Sequence, residues 1–379
     1  VSRALYVGPI DGRTSNGMTQ HQETLLRTMA REFTRLDVLS LFAAPRDAQV
    51  WLEERGIRAC VLAGPFARVA RANALAWQAA GTVLACKLKV SDSFPFYLKT
   101  PLLRMGSYDR IFCYYAWGVI LLGLDRFGDK VTVNLGDVMA GRHRRIGLKK
   151  WISLRDADEA RVIKAPIRNA AISQFDADEF ARLYGVRLPV IPSVPPQHAE
   201  LVALAAWPRP RAAGFFAGSG NAINLATLRT LADAEFLRAL QEAGIAFVVG
   251  GAICRDMPED IRAALMAGGA RLMGQVPTLT DFYAKVGAMV APVGPSSGLK
   301  MKSVETLLAG RSLITTRWGT DAVFDGFAGQ VFVLDWPPRP DAMAEAVIAA
   351  LDDTVSNRSV AAKAYVDRAI GDFVRSVRA

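Results

Sequence analysis

The chain has 379 residues, 51% of them hydrophobic and 22% charged, with a formal net charge of +10. That length exceeds the ~100 to 150 residues around which single domains cluster, so two domains are expected, and the apolar content excludes a disordered or fibrous chain. Cys60, Cys86, Cys113 and Cys254 show no paired spacing, which argues against a disulfide framework or a zinc site and for buried thiols in a reducing compartment.

The chain enters directly into a strand-like run, VSRALYVGPI, without a charged leader, a long apolar segment or a small-residue cleavage site. A cytoplasmic protein is expected. Residues 4–7 read as a strand, 8–18 as a glycine-bearing loop, 20–32 as a helix and 37–41 as the next strand. Further strands are predicted at 59–62, 110–114, 131–135 and 170–173. Strands alternating with helices imply parallel βαβ units and a doubly wound sheet. The longest apolar run, 111–124, is shorter than the ~20 residues a bilayer span needs.

Two basic stretches fall in this half. Arg142, His143, Arg144, Arg145, Lys149 and Lys150 precede Trp151 and Ile152, while Lys87, Lys89 and Lys99 are interleaved with Phe94, Phe96, Tyr97 and Leu98. Such clusters attract acidic lipid by about 1 kcal/mol per charge near the surface. An acidic membrane surface is one expected partner, and a solvated basic face is the alternative. Basic and stacking residues do not form the stripe that single-strand nucleic-acid readers use, so no nucleic-acid partner is expected.

Six prolines between Pro189 and Pro210 mark a connector. The expected organisation is a first domain over 1–195, a second over 196–355 and a terminal helix over 356–379. The strand–helix pattern restarts with strands at 214–217, 246–249, 270–273, 287–291 and 312–315. Helices are predicted at 224–241, 260–266, 279–285, 300–309, 340–352 and 356–378.

The chemistry concentrates in residues 274–323. A buried strand ends in a loop rich in Pro, Gly and Ser, and a helix follows at once. Open α/β sheets bind ligands beyond the carboxyl ends of their strands, and a helix amino end offers free N–H groups and a positive dipole to a phosphate. Ser296, Ser297 and Gly298 permit close backbone approach, and Lys300 and Lys302 add charge. Cations there oppose the helix dipole by ~0.3 to 1 kcal/mol each until an anion binds. Glu305 lies three residues beyond Lys302, on one helix face. Two readings stand: an intrahelical ion pair, or a carboxylate for ribose hydroxyls beside lysines for a diphosphate.

This stretch resembles the donor-binding region of GT-B glycosyltransferases of the GT4-like (group 1) superfamily. The resemblance is carried by Phe282-Tyr283, Ala291-Pro292-Val293, Ser297-Gly298-Leu299-Lys300-Met301-Lys302, Glu305, Ala309-Gly310 and Thr316 with Gly319. Weaker echoes are Phe216-Ala217-Gly218-Ser219 with Asn221 and Asn224, Val249-Gly250-Gly251, and residues 161–180. The resemblance implies two Rossmann-like domains facing across a cleft, the terminal helix packing back on the first. It implies a nucleotide-sugar donor, UDP-linked in preference to GDP-linked, no cofactor, and a glycan or polyprenyl-diphosphate-linked acceptor. It suggests bacterial surface polysaccharide assembly at the inner face of the cytoplasmic membrane.

By the same resemblance Gln275 and Val276 lie beside the nucleobase, Glu305 binds ribose, and Gly218, Ser219, Ser297, Gly298, Leu299, Lys300, Met301 and Lys302 surround the diphosphate. Ser15, Asn16 and Gly17 form the glycine loop facing diphosphate and acceptor, although a tight βα turn explains them equally. Two departures stand out. Ser297 occupies the position of the first carboxylate in the family's paired-glutamate pattern, and Gly218, Ser219 and Asn221 replace its usual Arg and Lys. The order Met301, Lys302, Glu305 also resembles the xanthan glucuronosyltransferase, an inverting relative.

In Asn134-Leu135-Gly136-Asp137, Asp137 is the candidate base, just past a strand's carboxyl end; a turn cap is the plainer alternative. In a retaining transfer it would orient the acceptor. His21 is a weaker candidate, grouped with Arg142 on the acceptor side, and His143 and His198 read as surface residues in polar loops. No metal site is expected. A sugar-nucleotide epimerase and a non-catalytic sugar-nucleotide or polyanion-binding protein are the competing readings.

Overall fold

The computed structural model describes residues 2–10, 17–65, 67–72, 75, 105–138 and 156–378. They form two compact units. The first takes residues 2–10, Met18–Pro192 and 369–378, and the second takes Ser193–Arg368.

The first unit carries a parallel sheet of β1 (Arg3–Gly8), β2 (Arg35–Ser40), β3 (Cys60–Val61), β4 (Arg110–Tyr114), β5 (Val131–Asn134) and β6 (Arg168–Ala170) in the order β3-β2-β1-β4-β5-β6. Ala4, Leu5, Tyr6 and Val7 are wholly buried, as in a parallel sheet covered on both faces. The buried Asp37 carboxylate is well partnered, accepting from Arg3 Nη2 at 2.7 Å, Arg35 Nε at 3.0 Å and the Tyr108 hydroxyl at 2.8 Å. Burial alone would raise its pKa, but these hydrogen bonds hold it below the usual carboxylate range.

The strand predicted at 170–173 lies earlier. Ser173 is the N-cap of the helix Gln174–Tyr184, its hydroxyl accepting from the Asp176 N–H, so the extended run ends before it. Beyond β6, Ala171 bridges in parallel to Val190, so the segment around Pro189–Ile191 prolongs the sheet edge. The helix Arg358–Arg378 brings its last residues to this unit: Phe373 meets Phe112 edge-on at 5.2 Å, and Thr132 Oγ1 donates to the Ser376 carbonyl at 2.9 Å.

The second unit repeats the design. β7 (Ala212–Phe216), β8 (Ala246–Gly250), β9 (Arg271–Gly274), β10 (Ala288–Ala291), β11 (Ser312–Thr316) and β12 (Val331–Leu334) form a parallel sheet in the order β12-β11-β10-β7-β8-β9. Gly251, at φ +98°, lets the turn after β8 lie against the turn after β7; a Cβ there would stand 2.3 Å from the Ala217 carbonyl.

Three expectations are corrected. The single helix expected at 224–241 is two, Ala222–Leu231 and Ala234–Glu242, because Asp233 caps the second through the Glu235 and Phe236 N–H groups. The proline-rich connector contains a helix, His198–Leu204, with the prolines at its flanks; His198 opens it, half-buried, its Nδ1 2.9 Å from the Pro195 carbonyl. β12 was not anticipated: it is an edge strand with Val333 56% exposed, too short and too open for a clear periodic signal.

At the amino end of β11 two arginines hold one carboxylate, with a third arginine nearby. Asp353 accepts from Arg358 Nη2 at 2.5 and 2.6 Å, from Arg209 Nη1 at 3.2 Å and from the Ser312 hydroxyl at 2.9 Å. Arg311, almost wholly buried, donates to the Tyr283 carbonyl, and burial with the nearby Arg209 and Arg358 charges pushes its pKa down to about 10. Among the described residues no helix is long and apolar enough to cross a membrane.

Candidate donor site in the second unit

β10 runs into a loop whose turns are held locally. The Ser296 hydroxyl donates to the Gly294 carbonyl at 3.0 Å, and Gly294 faces the Trp336 indole, where a Cβ would stand 3.1 Å from the ring. Gly298 takes φ +76°, and the helix then runs Met301–Leu308. Lys300, expected as its first residue, is instead the N-cap in extended backbone, without a side-chain cap. Its ammonium turns back to the loop, donating to the Ser297 carbonyl at 2.5 Å and the Gly298 carbonyl at 2.7 Å. The Ser303 and Val304 N–H groups donate to the Lys300 carbonyl, which leaves the Met301 and Lys302 N–H groups at the helix end without an intrahelical acceptor.

Lys302 reaches across to a different helix. Its Nζ donates to Asn224 Oδ1 at 2.6 Å and lies 4.6 Å from the centre of the Phe215 ring. Asn224 is itself fixed: its Nδ2 donates to the Ser219 carbonyl at 2.9 Å and its N–H to the Asn221 side chain at 3.0 Å. Burial pushes the Lys302 pKa down from 10.5 to about 7; the Lys300 charge adds to the fall and Glu305 opposes it. Glu305 is 3% exposed and accepts from the Tyr283 hydroxyl at 3.3 Å. Of the two readings of Lys302 and Glu305, the ammonium's hydrogen bond goes to Asn224. Sequence reasoning missed this partnership. Asn224 stood in a weak motif echo, and only β7 packing beside β10 brings it near Lys302.

Gly218 and Ser219 follow β7, Gln275 and Val276 follow β9, and the Ser297–Lys302 loop follows β10, all at the carboxyl ends of one sheet. Gln275 is exposed and Val276 half-buried, beyond Gly274 at φ +69°. Gly218, Ser219 and Lys302 are drawn together through Asn224; Gln275 and Val276 lie at the sheet's far edge strand.

In the first unit, Gly17 opens the helix Gly17–Glu32 and His21 lies within it, buried, with Nε2 3.3 Å from Asn134 Nδ2 and its ring 5.7 Å from that of Tyr114. Burial pushes the His21 pKa down to about 3, so the ring is neutral at pH 7 and a weak base there. Asp137 is half-buried past Gly136, and its charge helps raise the pKa of the buried Tyr114 hydroxyl, behind burial and the neighbouring Tyr115 and Tyr6. Tyr115, which no motif singled out, holds a left-handed φ of 68° at the carboxyl end of β4; such strain gathers at functional sites. Ser15, Asn16, Arg142, His143 and the stretches 87–99 and 142–152 lie outside the described residues. Among the described residues no group of three His, Cys, Asp or Glu side chains is placed to hold a metal ion.

Residues 214–353 match the family Glycosyl transferases group 1. The chain has the GT-B fold. The matched segment runs from within β7 past the helix Met301–Leu308. No curated protein matches the sequence. The chain is similar in structure to HepE from Anabaena, solved in complex with UDP and glucose, at 13% identity and TM-score 0.59, covering 100% of this chain and 98% of that one. It is similar to a glycosyltransferase from Rickettsia africae at 11% identity and TM-score 0.61, covering 99% and 96%. WaaG, a glycosyltransferase involved in lipopolysaccharide biosynthesis, aligns at 12% identity and TM-score 0.52, covering 97% and 94%.

Proposed function

We propose that this chain is a glycosyltransferase that moves a sugar from a nucleotide diphosphate sugar, UDP-linked in preference to GDP-linked, to a hydroxyl of a glycan or polyprenyl-diphosphate-linked glycan. The setting is bacterial surface polysaccharide assembly at the cytoplasmic face of the membrane. The second unit binds the donor and the first the acceptor. The observation that carries the reading is the Lys302 ammonium, held on Asn224 over Phe215 beside an open helix end. A partly desolvated cation beside unsatisfied N–H groups is a diphosphate site, and it would stabilise the charge that develops on the leaving group. Lys300 closes the Ser297–Gly298 loop around it, Gly218 and Ser219 border it, and Glu305 takes the ribose hydroxyls. Gln275 and Val276 flank the base. Asp137 accepts the acceptor proton in an inverting transfer or orients the hydroxyl in a retaining one, with His21, Ser15, Asn16 and Arg142 on the acceptor side. The UDP complex of HepE and the lipopolysaccharide role of WaaG support the donor class and the setting.

Lys302 supplies the test. With its pKa lowered to about 7, most Lys302 side chains are neutral at pH 8 in the free protein, and a bound diphosphate favours the charged form. UDP-glucose binding at pH 8 is therefore expected to take up a proton, visible as a dependence of calorimetric enthalpy on buffer ionisation heat, and affinity is expected to fall as pH rises from 7 to 9. Binding with no proton uptake at pH 8 would remove Lys302 from the site. GDP-glucose binding as tightly as UDP-glucose would overturn the base preference.

A further inference from the structure

A cavity of about 600 Å³ lies in the first unit, between the edge strand β6, the extended segment around Pro189–Ile191 and the end of the helix Arg358–Arg378. It is lined by Thr132 of β5 and by all three residues of β6, whereas His21, Asn134 and Asp137 are not among its lining residues. It is therefore not part of the site proposed above. Its volume is that of a drug-sized ligand pocket.

The lining is divided by chemistry. Ile163, Ile167, Val186 and Leu188 give apolar wall, while Arg168, Arg187 and Arg375 bring three guanidinium groups against the single carboxylate of Asp372. That carboxylate is already engaged by Arg375. Arg168 and Arg187 make no side-chain hydrogen bond or ion pair among the described residues, and Arg168 Nη1 is enclosed without a partner. Asn169, 7% exposed, also lines the cavity; its Nδ2 donates to the Val162 and Ile163 carbonyls, and its enclosed Oδ1 has no partner. Arg168 and Asn169 are consecutive on β6 and so face opposite sides of the sheet, Arg168 in register with Thr132 and Asn169 with Val133. A buried donor left unsatisfied is uncommon in native proteins, and a ligand is one of the things that satisfies it.

From this division we infer that the cavity binds an amphiphilic anion, a phosphate or carboxylate ester-sized molecule whose apolar part lies on Ile163, Ile167 and Leu188. Its acidic group is held by Arg168 and Arg187, a rotation of the Arg168 guanidinium turning its free N–H groups to the anion. Guanidinium is suited to this because its planar fork matches phosphate and carboxylate oxygens.

Octyl phosphate is the probe, titrated calorimetrically into the full chain beside octyltrimethylammonium, 1-octanol and inorganic phosphate. Octyl phosphate is expected to bind at least tenfold tighter than the cation and the alcohol, and inorganic phosphate alone to bind weakly. Arg168→Gln and Arg187→Gln are each expected to weaken octyl phosphate at least tenfold. Arg187 is exposed and neither arginine holds a partner, so thermal unfolding of both variants should match the wild type. Capture by phosphatidic acid vesicles that octyl phosphate competes away would assign the same chemistry to a lipid headgroup, and octyl phosphate binding without vesicle capture would assign it to a free solute. Equal binding of octyltrimethylammonium, or binding within twofold of wild type in both folded variants, would overturn the inference.

Discussion

Lys302→Met is expected to abolish donor-dependent stabilisation while leaving the free protein at least as stable as the wild type. In the free protein the lysine is a net burden, because its pKa, lowered from 10.5 to about 7, means that the unfolded chain holds the proton more tightly between those values. The burden is greatest below pH 7 and fades as the pH rises toward 10.5. Methionine fills the space over Phe215 without a charge, and the loss is limited to the hydrogen bond to Asn224. With donor present the comparison inverts. A UDP-sugar at 100 times its dissociation constant stabilises a binding protein by about 2.7 kcal/mol, and the variant should lose that increment. Turnover should fall by about 10² to 10³-fold, the usual effect of removing a donor aimed at developing charge. Thermal melts with and without UDP-glucose, together with initial rates, check both halves. A variant that melts with the same donor-dependent increment as wild type would show that the diphosphate is held elsewhere.

Asp353→Ala is expected to destabilise the second unit by about 3 to 5 kcal/mol, the cost of leaving a buried charge without its partner. The aspartate accepts from Arg358, Arg209 and Ser312 together, and the Arg358 side chain is only 6% exposed. Removing the carboxylate strands two arginines beside a third, Arg311, whose pKa is already lowered by burial and by them. The neighbouring Asp352→Ala is the control: its ion pair with Arg211 is half exposed on both sides, so its loss should cost less than about 1 kcal/mol. Urea unfolding of the two variants should separate them clearly, and equal midpoints would show that the Asp353 cluster contributes little. The acid limb follows the same logic. Burial works to raise the Asp353 pKa, but the Arg358, Val355 and Ser312 hydrogen bonds bring it below 3.8, so its contribution is present above that value and is lost as pH falls through the folded pKa.

Much of the second unit is legible in the sequence because each signal there is local. A buried run such as Ala288–Ala291, a Pro-Gly-Ser loop and a helix start are all written in consecutive residues, and a helix end at a strand terminus has one obvious chemistry. What escapes is whatever depends on a neighbour distant in the chain. Lys302 reads either as an intrahelical partner for Glu305 or as a diphosphate ligand, and its hydrogen bond to Asn224 emerges only once β7 packs beside β10. Lys300 reads as a phosphate ligand, although its ammonium is taken by the loop carbonyls two and three residues back. Nothing in a helix or strand pattern reveals that the Arg358 and Arg311 guanidinium groups are buried. His21 was legible as a helix-start histidine but not as a neutral one, because its low pKa comes from burial beside Tyr114 and Asn134.

The contact between Gly294 and Trp336 gives the donor loop a built-in optical reporter. An indole's emission colour follows the polarity and mobility of whatever covers it, and this ring, 39% exposed, has one side on the backbone that precedes Ser296 and Ser297 and an edge-on neighbour in Trp318 at 6.0 Å. Any rearrangement of that backbone changes what the fluorophore touches, so the unlabelled protein broadcasts the state of its own loop.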